Sequence, residues 1–146
     1  MKTIRILSII LLSISMMSCS SSTSKEEKEF YSLLQEVFEV HDEMMPQMGK
    51  LSELRQELEE KTSDDPMNVM VYEEAIADLE AAHKGMMDWM KDFGEVFPFK
   101  DDRLEGMNED QIKESIEKMK LQKVSVEAMK EKMVNSMENA KTILKE

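Results

Sequence analysis

Two short segments place the only two histidines of the chain in the same pattern. His41 and His83 each begin the spacing H-x-x-M-M-x-x-M, in segments 41–48 and 83–90. Residues three and four apart share one face of a helix, so each imidazole is predicted to lie beside its own methionine pair. Thioethers and neutral imidazole suit Cu(I), or Ag(I) as its mimic, better than Mg²⁺, Ca²⁺ or Zn²⁺. The candidate ligands are His41, Met44, Met45, Met48, His83, Met86, Met87 and Met90.

Core packing is an alternative explanation of these segments. Methionine is a flexible core filler, and the chain uses it freely, with 16 in 146 residues. A histidine in a helical seam can also fix the register of a bundle. A further alternative is another ligand such as haem, which bundles hold through His and Met side chains. No C-x-x-C-H segment is present to attach haem covalently.

Three long amphipathic segments must position these residues. Apolar residues recur in each at alternating steps of three and four, which predicts helices that bury one stripe against a common core. The first stripe is Phe30, Leu34, Val37, His41, Met44, Met48, Leu51, Arg55 and Leu58. The second is Val69, Tyr72, Ile76, Leu79, His83, Met86, Met90 and Phe93. The third is Ile112, Ile116, Met119, Val126, Met129, Met133, Met137, Ala140 and Leu144.

Capping signals predict where the first two helices begin. Thr23 or Ser24, followed three residues later by Glu26 or Glu27, is typical of a capping box. The polar segment 62–66 predicts the connection to the second helix. There Asp64 or Asp65 is the expected cap, and Pro66 fits the first turn.

The end of the second helix is predicted near Gly94. A loop over residues 94–107 should follow, with Phe97 and Phe99 folding back over the end of the bundle. The third helix is predicted to begin near Asn108, with acidic residues in its first turn.

Pro46 lies inside the first helical pattern. It removes one helix hydrogen bond and crowds the preceding turn, so the first helix should be kinked or split near residue 46. Short connections make neighbouring helices antiparallel, which predicts an all-α fold, an elongated up-down-up three-helix bundle. With a turn centred at residues 63–64, His41 should lie opposite Met86, and His83 opposite Met44.

The composition argues against several other classes of protein. A net charge of −12 at pH 7 argues against a nucleic-acid partner, because phosphate binding needs a basic face. One cysteine excludes an internal disulfide and a Cys-based zinc site. No Gly-rich phosphate loop, G-x-S-x-G or H-E-x-x-H segment is present, and we predict that the protein is not an enzyme.

The first residues of the chain form a targeting segment. A short basic start is followed by an apolar stretch over residues 6–17, which is too short for a typical membrane span. It ends at Ser18-Cys19 and resembles a bacterial lipoprotein signal, in which the cysteine is lipidated and becomes the mature N-terminus. An ordinary secretory signal is the alternative. Ser20 after the cysteine is similar to an outer-membrane address.

The resulting domain organisation has three parts. Residues 1–18 are the predicted signal peptide, residues 19–25 the lipidated Cys19 with a flexible tether, and residues 26–146 the helical bundle domain.

The most distinctive segments are Cys19, H-D-E-M-M-P-x-M-G over residues 41–49, A-H-K-G-M-M-D-W-M over residues 82–90, and the final A-K-T-I-L-K. Together they resemble a family of small bacterial lipoproteins, often named viral A-type inclusion proteins. The resemblance covers nearly the whole mature chain and implies a lipoprotein with a helical bundle and no catalytic role. The H-x-x-M spacing itself resembles the repeated motif of periplasmic silver- and copper-binding proteins.

These observations predict a lipid-anchored helical-bundle protein of the bacterial cell envelope with a structural or partner-binding role. Membrane contact is expected through Cys19, and the expected partner is a protein or a second copy of the chain. The alternative function is a periplasmic or surface soft-metal protein that binds Cu(I) or Ag(I) on the paired H-x-x-M-M-x-x-M segments.

Overall fold

The computed structural model describes residues 24–100 and 102–145 and is helical without strands in that part of the chain. Its helices are α1 (Lys25–Met44), α2 (Gln47–Asp64), α3 (Val69–Val96) and α4 (Glu109–Ile143). Because α1 and α2 form one bent helix, the fold is the predicted three-helix bundle. None of the helices described is both long and apolar enough to span a bilayer. The predicted signal peptide 1–18 and the predicted lipidation site Cys19 lie outside the described residues.

Capping boxes begin the first and the last helix. The Ser24 hydroxyl accepts a hydrogen bond from the Glu27 amide at 3.0 Å, and the Glu27 carboxylate accepts one from the Ser24 amide at 2.8 Å. Asn108 and Gln111 make the same reciprocal pair at the start of α4. Each pair satisfies amide groups that the first turn of a helix leaves without intrahelical partners, which confirms both predicted starts.

The predicted start of the second helix is wrong by about one turn. Pro66 precedes the helix, and α3 begins at Val69. Asp65 does not cap α3. Its carboxylate holds the connecting turn instead, by accepting hydrogen bonds from the Met67 amide at 3.2 Å and the Asn68 side chain at 2.8 Å. An aspartate that bonds backbone two residues ahead favours a turn over a helix start, which explains the difference.

The predicted end of the second helix is also too early. α3 continues through Gly94 to Val96, since one glycine costs a helix only about 1 kcal/mol and packing offsets it. Pro98 then disfavours the helical conformation at the residue before it, and the helix ends. Phe97 is buried, as predicted. The expectation for Phe99 is wrong, because its side chain is exposed.

The bend near Pro46 changes the packing partner of the first long helix. α1 packs mainly along α4, whereas α2 packs mainly along α3. Met45 and Pro46 keep helical backbone angles, so the chain bends at this point and then continues in much the same direction. Pro46 has no amide hydrogen to donate, and the ladder resumes when the Met48 amide donates to the Met45 carbonyl at 3.2 Å. α1 reaches α3 through large rings, such as Phe38 against Phe93.

The core follows the predicted stripes closely and adds a second stripe on α3. The third predicted stripe is buried throughout, except that Leu144 at its end is only half-buried. Ala75, Ala82 and Trp89, spaced by seven, are also buried. Seven residues are nearly two helical turns, so these three share one face. Ala82 and Trp89 line a groove shared with α4, which the predicted stripe on α3 did not cover.

A candidate soft-metal site at the helix break

His41 lies against an aromatic wall just before the break between α1 and α2. Its imidazole ring is centred 5.7 Å from the indole of Trp89, with the two planes inclined by 35°. Trp89 is buried and packs in turn on Phe93, with ring centres 5.3 Å apart. The imidazole itself is half-buried. One side of the His41 ring is therefore covered by core aromatics, while part of the side chain stays open to solvent.

The hydrogen bond of His41 fixes which ring nitrogen is free. Its Nδ1 lies 2.9 Å from a carboxylate oxygen of Asp42. A carboxylate can only accept, so Nδ1 must carry the proton. The lone pair of a neutral His41 then resides on Nε2. A carboxylate behind the other ring nitrogen is a common way to orient a metal-binding histidine.

The register between α1 and α3 differs from the prediction. Ring contacts pair His41 with Trp89 and Phe38 with Phe93, so His41 lies about one turn away from its predicted partner Met86. The reason is the connecting turn, which ends later than predicted because α3 begins at Val69. Each residue added to an antiparallel connection moves the facing position along the partner helix by one residue.

With this offset, the two H-x-x-M-M-x-x-M segments still run side by side in opposite directions. The structure separates each methionine pair into an inner and an outer member. Met44 and Met86 are buried in the core, whereas Met45, Met87 and Met90 are exposed and Met48 is half-buried. The thioethers accessible beside His41 are therefore the outer ones.

His83 is not brought together with His41. It is exposed and lines a surface groove with Leu51, Ser52 and Arg55. Along α3 it lies six residues from Trp89, about 9 Å at the rise of an α-helix. The Arg55 guanidinium in that groove pairs with Glu59 at 2.5 Å and lies 3.8 Å from Glu80. His83 thus has a polar setting with charges of both signs, which differs from the aromatic one of His41.

Trp89 belongs to this region although it was not among the predicted ligands. Its indole Nε1 is buried and has no hydrogen-bond partner among the described residues. The seven-residue spacing from Ala75 and Ala82 is the sequence signal for its burial. Within residues 24–100 and 102–145, no three His, Cys, Asp or Glu side chains gather closely enough to hold a metal ion. The candidate ligands here are one imidazole and several thioethers.

A second surface feature lies at the far end of the bundle. Met67 and Met70 are 94% and 82% exposed, and Val71 beside them is exposed too. We call these three residues the apolar tip. They lie where α2 connects to α3, opposite the end at which Ser24 begins α1. Exposed acidic side chains flank the tip, namely Asp64, Glu73 and Glu74.

Comparison of the chain with protein-family models, with curated proteins and with solved structures gave no significant match. The resemblance to small bacterial lipoproteins therefore stays a prediction.

Proposed function

We propose that this protein is a lipid-anchored, non-catalytic bundle of the bacterial envelope, at the outer membrane, that holds a partner protein at its apolar tip. The observation that carries the proposal is the difference between the two ends of the bundle. The N-terminal end of α1 lies at one end, and the exposed Met67, Met70 and Val71 lie at the other.

The N-terminal end supports anchoring. Cys19 precedes Ser24 by five residues, which reach at most about 18 Å when extended. A lipid on Cys19 would therefore hold the start of α1 close to the bilayer. Since α3 has 28 residues, the apolar tip would stand about 42 Å farther out. The bundle would act as a spacer between membrane and partner.

The apolar tip supports a protein partner. Large apolar side chains clustered at a surface favour contact with another apolar surface, because contact removes them from water. The acidic residues around the tip favour a partner whose apolar pocket is rimmed by Lys or Arg. Removal of Lys2 and Arg5 with the signal peptide would leave 17 basic against 31 acidic side chains, a net charge of −14 that disfavours nucleic acid.

A photo-crosslinking amino acid at position 70 tests the docking surface in cells. The matched control is position 121, since Leu121 is also apolar and well exposed but lies on α4. We expect a discrete adduct from position 70 and none from position 121. The double substitution Glu73→Lys/Glu74→Lys should strongly reduce this adduct, because it reverses the charge beside the tip. An adduct only from position 121, or one insensitive to the charge reversal, contradicts docking at the tip.

Membrane fractionation of Cys19→Ser tests the anchor separately. The wild-type protein should be found with the outer membrane, and its mature N-terminal peptide should carry the mass of acyl chains. The variant should leave the membrane fraction. Unchanged fractionation of Cys19→Ser would contradict the anchor and leave the crosslinking result to stand independently.

A further inference from the structure

We propose that His41, Met45 and Met90 form a binding site for one soft monovalent cation, Cu(I) or Ag(I), with Trp89 as its inner wall. This site is independent of the lipid anchor and of the partner at the apolar tip. It also differs from the two-histidine site that the sequence predicts, because His83 takes no part in it.

The nitrogen ligand is Nε2 of His41. The Asp42 carboxylate, 2.9 Å from Nδ1, keeps the proton on Nδ1 and leaves the Nε2 lone pair available. Half-burial of the imidazole allows a cation to arrive from solvent and limits the number of competing water molecules. The contact with Trp89 covers one side of the ring.

The sulfur ligands are the outer methionines on either side of His41. Met45 follows His41 by four residues and so shares its face, despite the bend that begins there, because its backbone angles are still helical. Met90 follows Trp89 in α3, and the proposal takes its thioether from the exposed side of α3, at the level set by the contact between His41 and Trp89. Met45 and Met90 are 38% and 37% exposed, so both thioethers reach the surface without leaving the bundle.

The surroundings suit a soft, singly charged ion. An uncharged set of imidazole and thioethers selects soft cations over Mg²⁺, Ca²⁺ or Zn²⁺. The face of an indole attracts cations, and Trp89 supplies one beside the imidazole. On α4, Lys130 approaches this part of α1 and pairs with Glu43. Lys132 lines a groove with Trp89, where Asp88 and Asp92 are also present.

His83 provides the matched control. It begins the same sequence pattern and also has methionines three and four residues ahead. It lacks the aromatic wall, and its groove is lined instead by Leu51, Ser52 and Arg55, with Glu80 beside the guanidinium. If sequence pattern alone determined binding, His41 and His83 would contribute equally.

The test is a fluorescence titration of the purified full chain in detergent with Ag(I), repeated anaerobically with Cu(I) against a chromophoric chelator. All proteins carry Cys19→Ser, because any Cys19 that is not lipidated would itself bind these ions through its thiol. Trp89 is the only tryptophan, so the emission comes from the wall of the proposed site, and His83→Ala controls for metal bound at the neighbouring histidine. The variants are His41→Ala, Met45→Leu, Met90→Leu and His83→Ala. Leucine removes the sulfur and nearly conserves the volume.

We expect one equivalent of metal to change the Trp89 emission with a micromolar or tighter Kd. His41→Ala should weaken binding at least tenfold, and each methionine variant several-fold, while His83→Ala leaves the Kd unchanged. Far-ultraviolet circular dichroism will show that each variant keeps its helices, and His41→Gln replaces His41→Ala if that variant does not. Absence of binding, binding without a change in Trp89 emission, or equal losses for His41→Ala and His83→Ala would overturn the site.

Discussion

At the scale of single residues, burial gives chemically identical neighbours different roles. Met86 is fully buried, with 0% of its surface exposed, while the adjacent Met87 is 51% exposed. Successive residues of a helix point about 100° apart, so one methionine of each pair enters the core and the other reaches solvent. The inner methionines contribute packing, and the outer ones are those on which the proposed metal site draws.

Substitution of these two adjacent methionines should therefore affect stability very differently. Met86→Ala removes buried methylene groups and leaves a cavity, and it should lower the free energy of unfolding by about 2–5 kcal/mol. Met87→Ala should change it by no more than about 0.5 kcal/mol, since surface substitutions rarely do more. Urea unfolding followed by circular dichroism measures both. Equal losses would contradict the assignment of Met86 to the core.

The predicted stripes contain Met44 and Met86, the buried members of the two Met-Met pairs, but they also contain Met90, which is exposed. The spacing of three and four residues identifies the buried face of a helix only to within about one residue, which is the separation of the two members of a Met-Met pair. His83 shows the same limit, since it belongs to the predicted stripe of α3 and is nevertheless exposed. The burial of Trp89 was not predicted, because α3 covers two neighbours, α2 and α4, and therefore buries a second stripe.

At the scale of elements, the bend at Pro46 lets one long helix serve two partners. α1 packs on α4 and α2 packs on α3, so the break lies where the first helix moves from one neighbour to the other. The space between α1 and α3 is filled by rings, including His41 against Trp89. The missing amide of Pro46 predicted the break. The change of partner was not predictable, because it depends on contacts between residues far apart in sequence.

The connection between α3 and α4, residues 97–108, is held to α1 by a titratable contact. The Tyr31 hydroxyl donates a hydrogen bond to the Asp102 carboxylate at 2.8 Å. This bond lowers the pKa of Asp102 below its ordinary value of 3.8. Burial, and then the bond to Asp102, raise the pKa of Tyr31 above 10.0. The contact thus stabilises the fold while Asp102 is ionised and Tyr31 is protonated.

The stability lost in Tyr31→Phe should therefore depend on pH. A lowered carboxyl pKa contributes stability at pH values above 3.8, and this stability is lost as the pH falls through the pKa of the folded state. A raised phenol pKa contributes stability at pH values below 10.0, and this stability is lost as the pH rises through the pKa of the folded state. Tyr31→Phe should lower the urea midpoint at pH 7, and the difference should shrink toward both extremes. A difference that is constant with pH would mean that the hydroxyl acts through packing alone.

At the scale of the whole molecule, acidic side chains greatly outnumber the basic side chains that could pair with them. The sequence has 31 acidic and 19 basic side chains. Parallel helices α1 and α4 are joined by pairs such as Lys123 with Glu36 and Lys130 with Glu43. These pairs lie between partly exposed side chains, and exposed pairs contribute little to stability. The excess negative charge opposes the compact state through mutual repulsion over longer distances.

Sodium chloride should therefore stabilise this protein. The Debye length falls to about 10 Å at 0.1 M salt, which screens repulsion between distant acids more than attraction within a contact pair. We expect the urea midpoint to rise as salt increases from low to physiological concentration. Glu73→Gln/Glu74→Gln, which removes two negative charges from α3, should raise the midpoint at low salt and reduce its dependence on salt. A midpoint that falls with salt would mean that the pairs between α1 and α4 outweigh the repulsion, and would make these pairs the main electrostatic stabilisation of the bundle.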